Sequence, residues 1–266
     1  MEQHSCDIVV VGGGHAGIEA ANAAAKMGLR VRLVSMRRDQ VGALSCNPAI
    51  GGTAKGQVVK EIDAMGGLMG EITDECNLQF KMLNRSKGAA VWSPRSQVSR
   101  SLYPKIAQRK LLELDPEIII EGSVERLLIE HGTAVGVGLA DGSSIRARAV
   151  IVCAGTFLNG VMHTGLEQVR GGRHGERPAQ LETEPPGQLS LHVARLKTGT
   201  PPRISLASID TSGLEAQSGD TVPVPFSRRS SGMRPNSISC WLTETSQRTH
   251  EILSTGFDRS PMFGGR

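Results

Sequence analysis

Near its N-terminus the sequence places an apolar strand, a glycine-rich turn and an alanine-rich helix in direct succession. The strand is predicted over 7–11, and Gly12, Gly14 and Gly17 follow with G-x-G-x-x-G spacing. The first glycine of such a turn permits the tight bend, the second admits a pyrophosphate, and the third lets helix and strand pack closely. The helix N-terminus adds unpaired N–H groups and partial positive charge. Because a second strand is predicted over 30–35, the segment indicates a dinucleotide-binding βαβ unit.

The residues after the second strand leave the kind of dinucleotide open. FAD- and NAD-binding folds usually place an Asp or Glu here, whose carboxylate binds a ribose hydroxyl. This strand instead ends in Ser35-Met36-Arg37-Arg38, and Asp39 comes later. Either the ribose is held differently or the arginines meet a 2′-phosphate. The motif alone therefore does not choose among FAD, NAD and NADP.

Length and composition are those of a globular protein. The chain has 266 residues, of which 39% are hydrophobic, enough for one large domain or two smaller ones. No run approaches the ~20 apolar residues of a membrane span, and the N-terminus lacks a signal-peptide pattern. The five cysteines are scattered without a C-x-x-C pair, which favours a reducing cytoplasm and predicts neither a metal site nor a disulfide framework.

A second glycine-rich stretch, over 45–56, is predicted to be a loop that passes close to a flat cofactor. Apolar residues at helical spacing predict a helix from 58 to 65. Cys46 lies ahead of that helix with Lys55 nearby in sequence, a setting that can activate a thiol. Cys46 is therefore a candidate reactive residue. The alternative is a small, buried loop residue.

Residues 81–110 contain eight Lys or Arg residues and neither Asp nor Glu. Such a bias is typical of a surface that binds a polyanion. Trp92 and Tyr103 lie within the segment and can stack on bases. The alternative is a solvated face whose acidic partners come from elsewhere in the fold. The candidate nucleic-acid contacts are Lys81, Arg85, Lys87, Arg95 and Arg100.

From 117 onward, short alternating strands separated by glycine turns predict a β-meander over 117–122, 124–129, 133–139 and 144–152. Its last strand is expected to return beside the nucleotide-binding strands, an arrangement typical of flavoprotein folds. Beyond Gly165 the pattern is irregular, with a loop predicted over 207–238 and a short helix over 243–253. We therefore divide the chain into a dinucleotide-binding domain, 1–165, and the start of a second, irregular α+β domain, 166–266.

Several blocks resemble the MnmG (GidA) family of FAD-dependent tRNA uridine 5-carboxymethylaminomethyl modification enzymes. The similarity runs in register over essentially the whole chain, and its Cys-Asn-Pro and Lys-Thr-Gly-Thr-Pro-Pro-Arg blocks are highly specific. The blocks lie at 12–17, 45–52, 87–88, 155–158, 195–203 and 259–262. The resemblance implies an α/β fold, a Rossmann-like FAD-binding fold with the inserted β-meander.

The resemblance also implies an activity and its partners. Such enzymes modify the wobble uridine of certain tRNAs together with the GTPase MnmE, and use NADH and 5,10-methylenetetrahydrofolate as cosubstrates. They are cytoplasmic homodimers, and the basic segment would then meet the tRNA anticodon loop. By position, Cys46 matches a cysteine of functional importance in the family, and Val124 matches the contact to the adenine end of FAD. The other implied cofactor contacts are Gly12, Gly13, Gly14, His15, Ala16, Gly17, Gly155 and Thr156.

The departures from the family pattern limit what we expect of this chain. Family members are more than twice as long, so the sequence is expected to be an N-terminal fragment that does not catalyse the reaction alone. Ala179 stands where a hydroxyl residue is expected near FAD, and 182–187 replaces a helix. Two alternatives stay open: a stand-alone FAD- or NAD(P)H-dependent oxidoreductase acting on a small molecule, and a non-catalytic module that binds RNA or a protein partner.

Overall fold

The computed structural model describes residues 3–184, 196–260 and 263. Its helices are α1 (His15–Lys26), α2 (Lys55–Ala64), α3 (Met69–Cys76), α4 (Leu102–Leu114) and α5 (Gln247–Ser254). The strands are β1 (Gln3–Val11), β2 (Val31–Ser35), β3 (Ala49–Gly51), β4 (Asn77–Leu83), β5 (Ser93–Val98), β6 (Ile119–Glu121), β7 (Val124–Glu130), β8 (Thr133–Leu139), β9 (Ser144–Val152), β10 (Val161–Thr164), β11 (Glu167–Arg170), β12 (Glu182–Glu184), β13 (Glu215–Gln217) and β14 (Cys240–Leu242).

The main sheet has the strand order β12-β7-β8-β9-β1-β2-β6. Strands β9, β1, β2 and β6 run parallel, with β1 between β9 and β2. Alternate side chains of β1 point to opposite faces: Val10 packs in one buried cluster with residues of α1 and α4, whereas Val9 and Val11 pack in a second cluster with the meander strands. The predicted β1-α1-β2 unit and the α/β fold class are confirmed.

The meander is also present, but the strand predicted over 117–122, which forms as β6, does not belong to it. Strand β6 pairs parallel with β2, with Leu33 opposite Ile119, at the far edge of the sheet. Helix α4 packs against α1 and carries the chain to that edge. The antiparallel meander consists of β7, β8 and the first residues of β9. A short apolar strand has the same sequence pattern whether it pairs in an antiparallel meander or parallel with β2. The sequence pattern therefore could not assign the partner of β6.

A second sheet, β3-β5-β4, lies beside α2 and α3. Strand β3 falls inside 45–56, so the prediction of a loop throughout that stretch is wrong. Helix α2 begins at Lys55, and β3 separates it from Cys46. The prediction that Cys46 directly precedes the helix is therefore wrong.

Residues 217–236, here called the strap, follow an irregular path over β4. The Asn236 Oδ1 atom accepts from the Phe80 N–H group at 2.7 Å, and Asp220 accepts from the Met82 N–H group at 3.0 Å. Phe226 is fully buried and meets the Phe80 ring edge-to-face at 6.1 Å. The predicted loop over 207–238 is largely confirmed, although it also contains the short strand β13. Helix α5 starts four residues later than predicted because Ser246 caps it.

Some predictions concern residues that lie partly or wholly outside the described part of the chain. In the segment 182–187, residues 182–184 form β12 and pair with β7, and residues 185–187 lie outside the described part of the chain. Arg195 and residues 261–262, which belong to the blocks of family resemblance, also lie outside it. Across 3–184, 196–260 and 263, no helix has both the length and the apolar character needed to cross a membrane.

Candidate functional site

A cavity of about 890 Å³ opens at the carboxyl ends of the four parallel strands. Ligands of open α/β sheets bind at this edge. Every one of these strand ends contributes to the wall, and α2 and the β3 region close another side. The lining includes residues 11–15 after β1, 34–37 at the end of β2, 122–124 after β6, 153–157 after β9, and 49–55 around β3.

The glycines of the turn after β1 perform different tasks. Gly12 has φ of +108°, and a side chain there would collide with the Cys153 carbonyl oxygen. A Cβ atom at Gly17 would collide with the Gly12 carbonyl oxygen, because helix and turn are in direct contact. A Cβ atom at Gly14 would meet nothing within 4 Å. The turn is therefore tightly packed at its first and third glycines and open at the second, as a pyrophosphate cradle requires.

Helix α1 presents its N-terminus to the same space. Gly14 is the N-cap and supplies no side-chain acceptor, so the N–H groups of the first turn remain available to a ligand. Gly12, Gly13, Gly14 and His15 line the cavity. Ala16 is exposed and Gly17 is buried, and these two residues contribute through the backbone of the first turn. The N-terminus of α1 thus presents unpaired backbone N–H groups of the kind that can bind an anion.

His15 is held by a buried tyrosine. The Tyr103 hydroxyl lies 3.4 Å from Nδ1 of His15, and the two rings meet edge-to-face at 5.4 Å. Burial lowers the pKa of His15, so the imidazole is neutral at pH 7. Tyr103 is only 1% exposed. The interpretation that Tyr103 stacks on nucleic-acid bases is therefore wrong, since its ring fills the interface between α4 and α1.

The end of β2 carries positive charge that is largely compensated. Arg37 lines the cavity and makes a bidentate contact with Asp39, at 3.0 and 2.6 Å. The backbone N–H of Arg38 donates to Glu121 at 2.8 Å. Glu121 lies opposite Ser35 in the β2–β6 register. An acidic group, Glu121, therefore reaches the end of β2 from the neighbouring strand. Because the Arg37 guanidinium is already paired with Asp39, it does not favour binding of a 2′-phosphate.

The remaining predicted cofactor contacts meet at the cavity wall. Val124, Gly155 and Thr156 line it, and Thr156 Oγ1 donates to the Gly172 carbonyl at 3.1 Å. Ala179, noted for its missing hydroxyl, also lies in the wall.

Sequence reasoning missed two charged residues of the same wall. The Arg173 guanidinium pairs with Glu176 at 3.1 Å and donates to Gln40 Oε1 at 3.0 Å. The only sequence signal was the basic, glycine-rich stretch over 170–177, which gave no indication that Arg173 and Glu176 reach the cavity.

Cys46 lies at the cavity and is exposed, contrary to the alternative of a buried loop residue. Its Sγ donates to the Gly199 carbonyl at 3.1 Å. Arg203 binds the same loop, with one nitrogen donating to the carbonyls of Ser45 and Cys46 at 3.0 and 3.1 Å. The tertiary structure thus brings together two stretches that are about 150 residues apart in sequence, 45–46 and 199–203.

The basic segment divides into paired and unpaired charges. Arg85 pairs with Asp220 at 2.8 Å. On α4, Arg109 pairs with Glu75 and Lys110 pairs with Glu71 of α3. Lys81 donates to the Ser218 carbonyl at 3.5 Å. Within the described part of the chain, Lys87, Arg95 and Arg100 make no ion pair, and Arg95 lines the cavity. Acidic partners from elsewhere therefore neutralise part of the segment only.

Comparison with known proteins identifies the family. The family model described as glucose inhibited division protein A matches residues 7–266. The chain belongs to this family. The GidA chain in the form I crystal of Aquifex aeolicus is 40% identical and superimposes with a TM-score of 0.91, covering 98% of this chain and 44% of that one. The form II crystal gives a TM-score of 0.88 at 39% identity, covering 96% of this chain and 44% of that one.

Curated relatives that the chain matches carry the name tRNA uridine 5-carboxymethylaminomethyl modification enzyme MnmG. The one from Thermodesulfovibrio yellowstonii is 48% identical over 261 residues, which cover 98% of this chain and 42% of the relative. The one from Chlorobium phaeobacteroides is 46% identical over 263 residues, with the same two coverages. This member of the GidA family thus spans less than half the length of the curated relatives it matches.

Proposed function

We propose that this chain is the FAD-binding part of an enzyme that adds a 5-carboxymethylaminomethyl group to the wobble uridine of tRNA. The observation that carries the proposal is the glycine-lined cavity at the carboxyl ends of β1, β2, β6 and β9, in a chain of the GidA family. The names of its relatives supply the reaction. The division at 165/166 into a cofactor domain and a second domain is part of the proposal.

The cavity offers FAD contacts for its pyrophosphate and for its adenine end. The open face of Gly14 and the α1 N-terminus would hold the pyrophosphate, and the neutral His15 would adjoin it without adding charge. Val124 would meet the adenine end, and Gly155 and Thr156 would line the cofactor on the β9 side. When bound, FAD supplies hydride-transfer chemistry that amino-acid side chains do not provide.

For Cys46 we propose the role of nucleophile toward the uracil ring. Uracil C5 is a poor nucleophile until a group adds to C6. Addition of the Cys46 thiolate to C6 would make C5 nucleophilic toward the one-carbon electrophile derived from 5,10-methylenetetrahydrofolate. After the C5–carbon bond has formed, removal of the C5 proton by a base would break the C6–S bond, release the thiolate and restore the C5–C6 double bond. The exposed Sγ at the cavity is compatible with this role.

The complete reaction requires more than this chain. We propose that the parent enzyme uses NADH and 5,10-methylenetetrahydrofolate, acts with the GTPase MnmE, forms a homodimer and works in the cytoplasm, where its tRNA substrate is. Because the chain spans 42% of its relatives, we expect no tRNA modification by the isolated chain even with all cosubstrates present.

A visible absorption spectrum tests the cofactor proposal. The purified chain is titrated with FAD and then with NADH, alongside Gly14→Asp and Gly213→Asp. Both glycines have open space where a Cβ atom would lie, but only Gly14 lies at the cavity. We expect a bound flavin spectrum for the native chain and for Gly213→Asp, and weakened binding for Gly14→Asp because its carboxylate would oppose the pyrophosphate. Equal FAD binding by all three would contradict the assigned site, and steady NADPH oxidation without tRNA would instead favour a small-molecule oxidoreductase.

A further inference from the structure

The connection between β4 and β5, residues 84–92, is an exposed loop with a fixed shape. We call it the rim loop. Backbone N–H groups of Lys87 and Trp92 donate to the carbonyls of Asn84 and Ala89, at 2.9 and 3.2 Å. The Asn84 side chain closes the loop by donating to the Val91 carbonyl at 3.2 Å. Asn84 and Gly88 have φ of 61° and 94°, which form the tight bends. The rim loop is thus held by its own hydrogen bonds.

Trp92 is fixed in this loop and yet is 43% exposed. Its indole Nε1 donates to the Arg85 carbonyl at 3.2 Å, and its own carbonyl accepts from Gln57 of α2 at 3.1 Å. Because the only polar atom of the ring is bound inside the loop, the exposed part of the ring is an accessible π surface. A large aromatic ring held rigidly in water is typical of a binding surface.

The rim loop borders the cavity and carries positive charge. Leu83 and Arg95, on either side of it, line the cavity, and so does Val58, next to Gln57. Lys87 and Arg95 make no ion pair in the part of the chain that the structure describes. The segment 81–110 contains no acidic residue that would neutralise them. Arg85, in contrast, is engaged by Asp220.

We propose that the rim loop binds an unpaired base of the RNA substrate, with Trp92 stacking on the base and with Lys87 and Arg95 contacting the flanking phosphates. This inference rests on the proposed function in tRNA modification. Stacking requires a base that is free of its helix, as in a single-stranded loop. One indole ring with Val91 beside it is a small apolar area compared with the about 800 Å² per partner of a standard protein interface. The combination of a π surface and free cations therefore favours an RNA loop over a protein partner.

The two tryptophans of the chain allow a direct test. Trp241→Phe leaves Trp92 as the sole indole emitter, and Trp92→Phe leaves Trp241, which is 42% exposed and serves as the matched control. Each variant is titrated with an RNA stem-loop, with a fully paired RNA duplex and with polyphosphate, and binding is followed separately by anisotropy of labelled RNA. We expect the stem-loop to quench Trp92 emission and to leave Trp241 emission unchanged. Duplex and polyphosphate should leave both unchanged.

Binding constants of the alanine variants complete the test. Loss of one stacked base corresponds to about 1–3 kcal/mol, so Trp92→Ala should bind the stem-loop about 5- to 150-fold more weakly. Trp92→Phe should retain most of the affinity and Trp241→Ala should retain all of it. Binding of the stem-loop with no change in Trp92 emission, or quenching by polyphosphate alone, would overturn the inference and leave the proposed function standing. An absence of stem-loop binding in the native chain would overturn the inference, whereas the proposed function of the parent enzyme, which is more than twice as long, is tested separately by the flavin titration.

Discussion

The turn after β1 and the strap over β4 are both irregular backbone, but different forces fix them. The turn at 12–17 depends on missing side chains, since Gly12 and Gly17 pack where a Cβ atom would collide with backbone. The strap depends on side chains that bind its backbone. Asp74 alone accepts from the N–H groups of Phe226 and Ser227 and from the Ser230 hydroxyl, at 2.7, 2.9 and 2.6 Å.

This difference explains why only one of the two regions could be located from the sequence. A glycine turn is a local pattern with fixed spacing. The partners of the strap lie about 150 residues away in the chain, as Asp74 and Phe226 do, and nothing in the spacing of either stretch connects them. If the two regions differ in this way, loss of a carboxylate should weaken the strap and an added methyl group should weaken the turn.

Removal of the Asp74 carboxylate should have the largest effect. Asp74→Ala leaves two buried N–H groups and the half-buried Ser230 hydroxyl without this acceptor, and we expect a loss of about 3–5 kcal/mol in the free energy of unfolding. Asp258→Ala is the control, because the Asp258 side chain is 79% exposed and its loss should stay within about 0.5 kcal/mol. Denaturant unfolding measures both. Similar stabilities for the two variants would show that the strap is not held by its buried carboxylate.

Alanine substitutions at Gly17 and Gly14 should distinguish the glycine needed for packing of the turn from the glycine needed for FAD binding. Gly17→Ala places a methyl group against the Gly12 carbonyl oxygen and should cost about 1–3 kcal/mol of stability. Gly14→Ala meets open space and should lose at most about 1 kcal/mol of stability, because alanine is a poorer N-cap residue than glycine, whereas its affinity for FAD should fall. Denaturant unfolding and flavin titration give the two readouts. Equal destabilisation by both changes would contradict the different roles of the two glycines.

The smallest expected effect is a pH dependence at His15. Burial lowers the pKa of the folded His15, so below about pH 6.5 the unfolded chain binds a proton that the folded chain resists. Stability should therefore decrease as the pH falls through this window, by at most about 1.4 kcal/mol per pH unit for one proton. His15→Gln should show a shallower decrease between about pH 7.5 and about pH 5.5. Denaturant unfolding of the native chain and of His15→Gln over this pH range measures the difference, and equal slopes for the two chains would contradict a lowered pKa of His15.

Much of the candidate site was predictable from the sequence, because residues 12–15 are consecutive and belong to a motif of fixed spacing. Residues 12–15, Val124, Gly155 and Thr156 were predicted and all line the cavity. The Arg173–Glu176 pair was missed, and Tyr103 was wrongly expected at a surface, since amphipathic patterns do not specify which partner covers a side chain. The catalytic role of Cys46 and the RNA contacts stay predictions.

The sequence by itself determined the β1-α1-β2 unit, the three meander strands β7, β8 and β9, and family membership, because these depend on local periodicity and on motifs of fixed spacing. Only the tertiary structure decided that β6 joins β2, that Arg203 binds the loop of Cys46, and that Asp74 anchors the strap. It also decided which cations of 81–110 remain unpaired. The physical reason is that strand pairing, ion pairing and backbone capture are contacts between distant segments. Such contacts form only when the whole chain packs around its core, so a short stretch of sequence does not specify them.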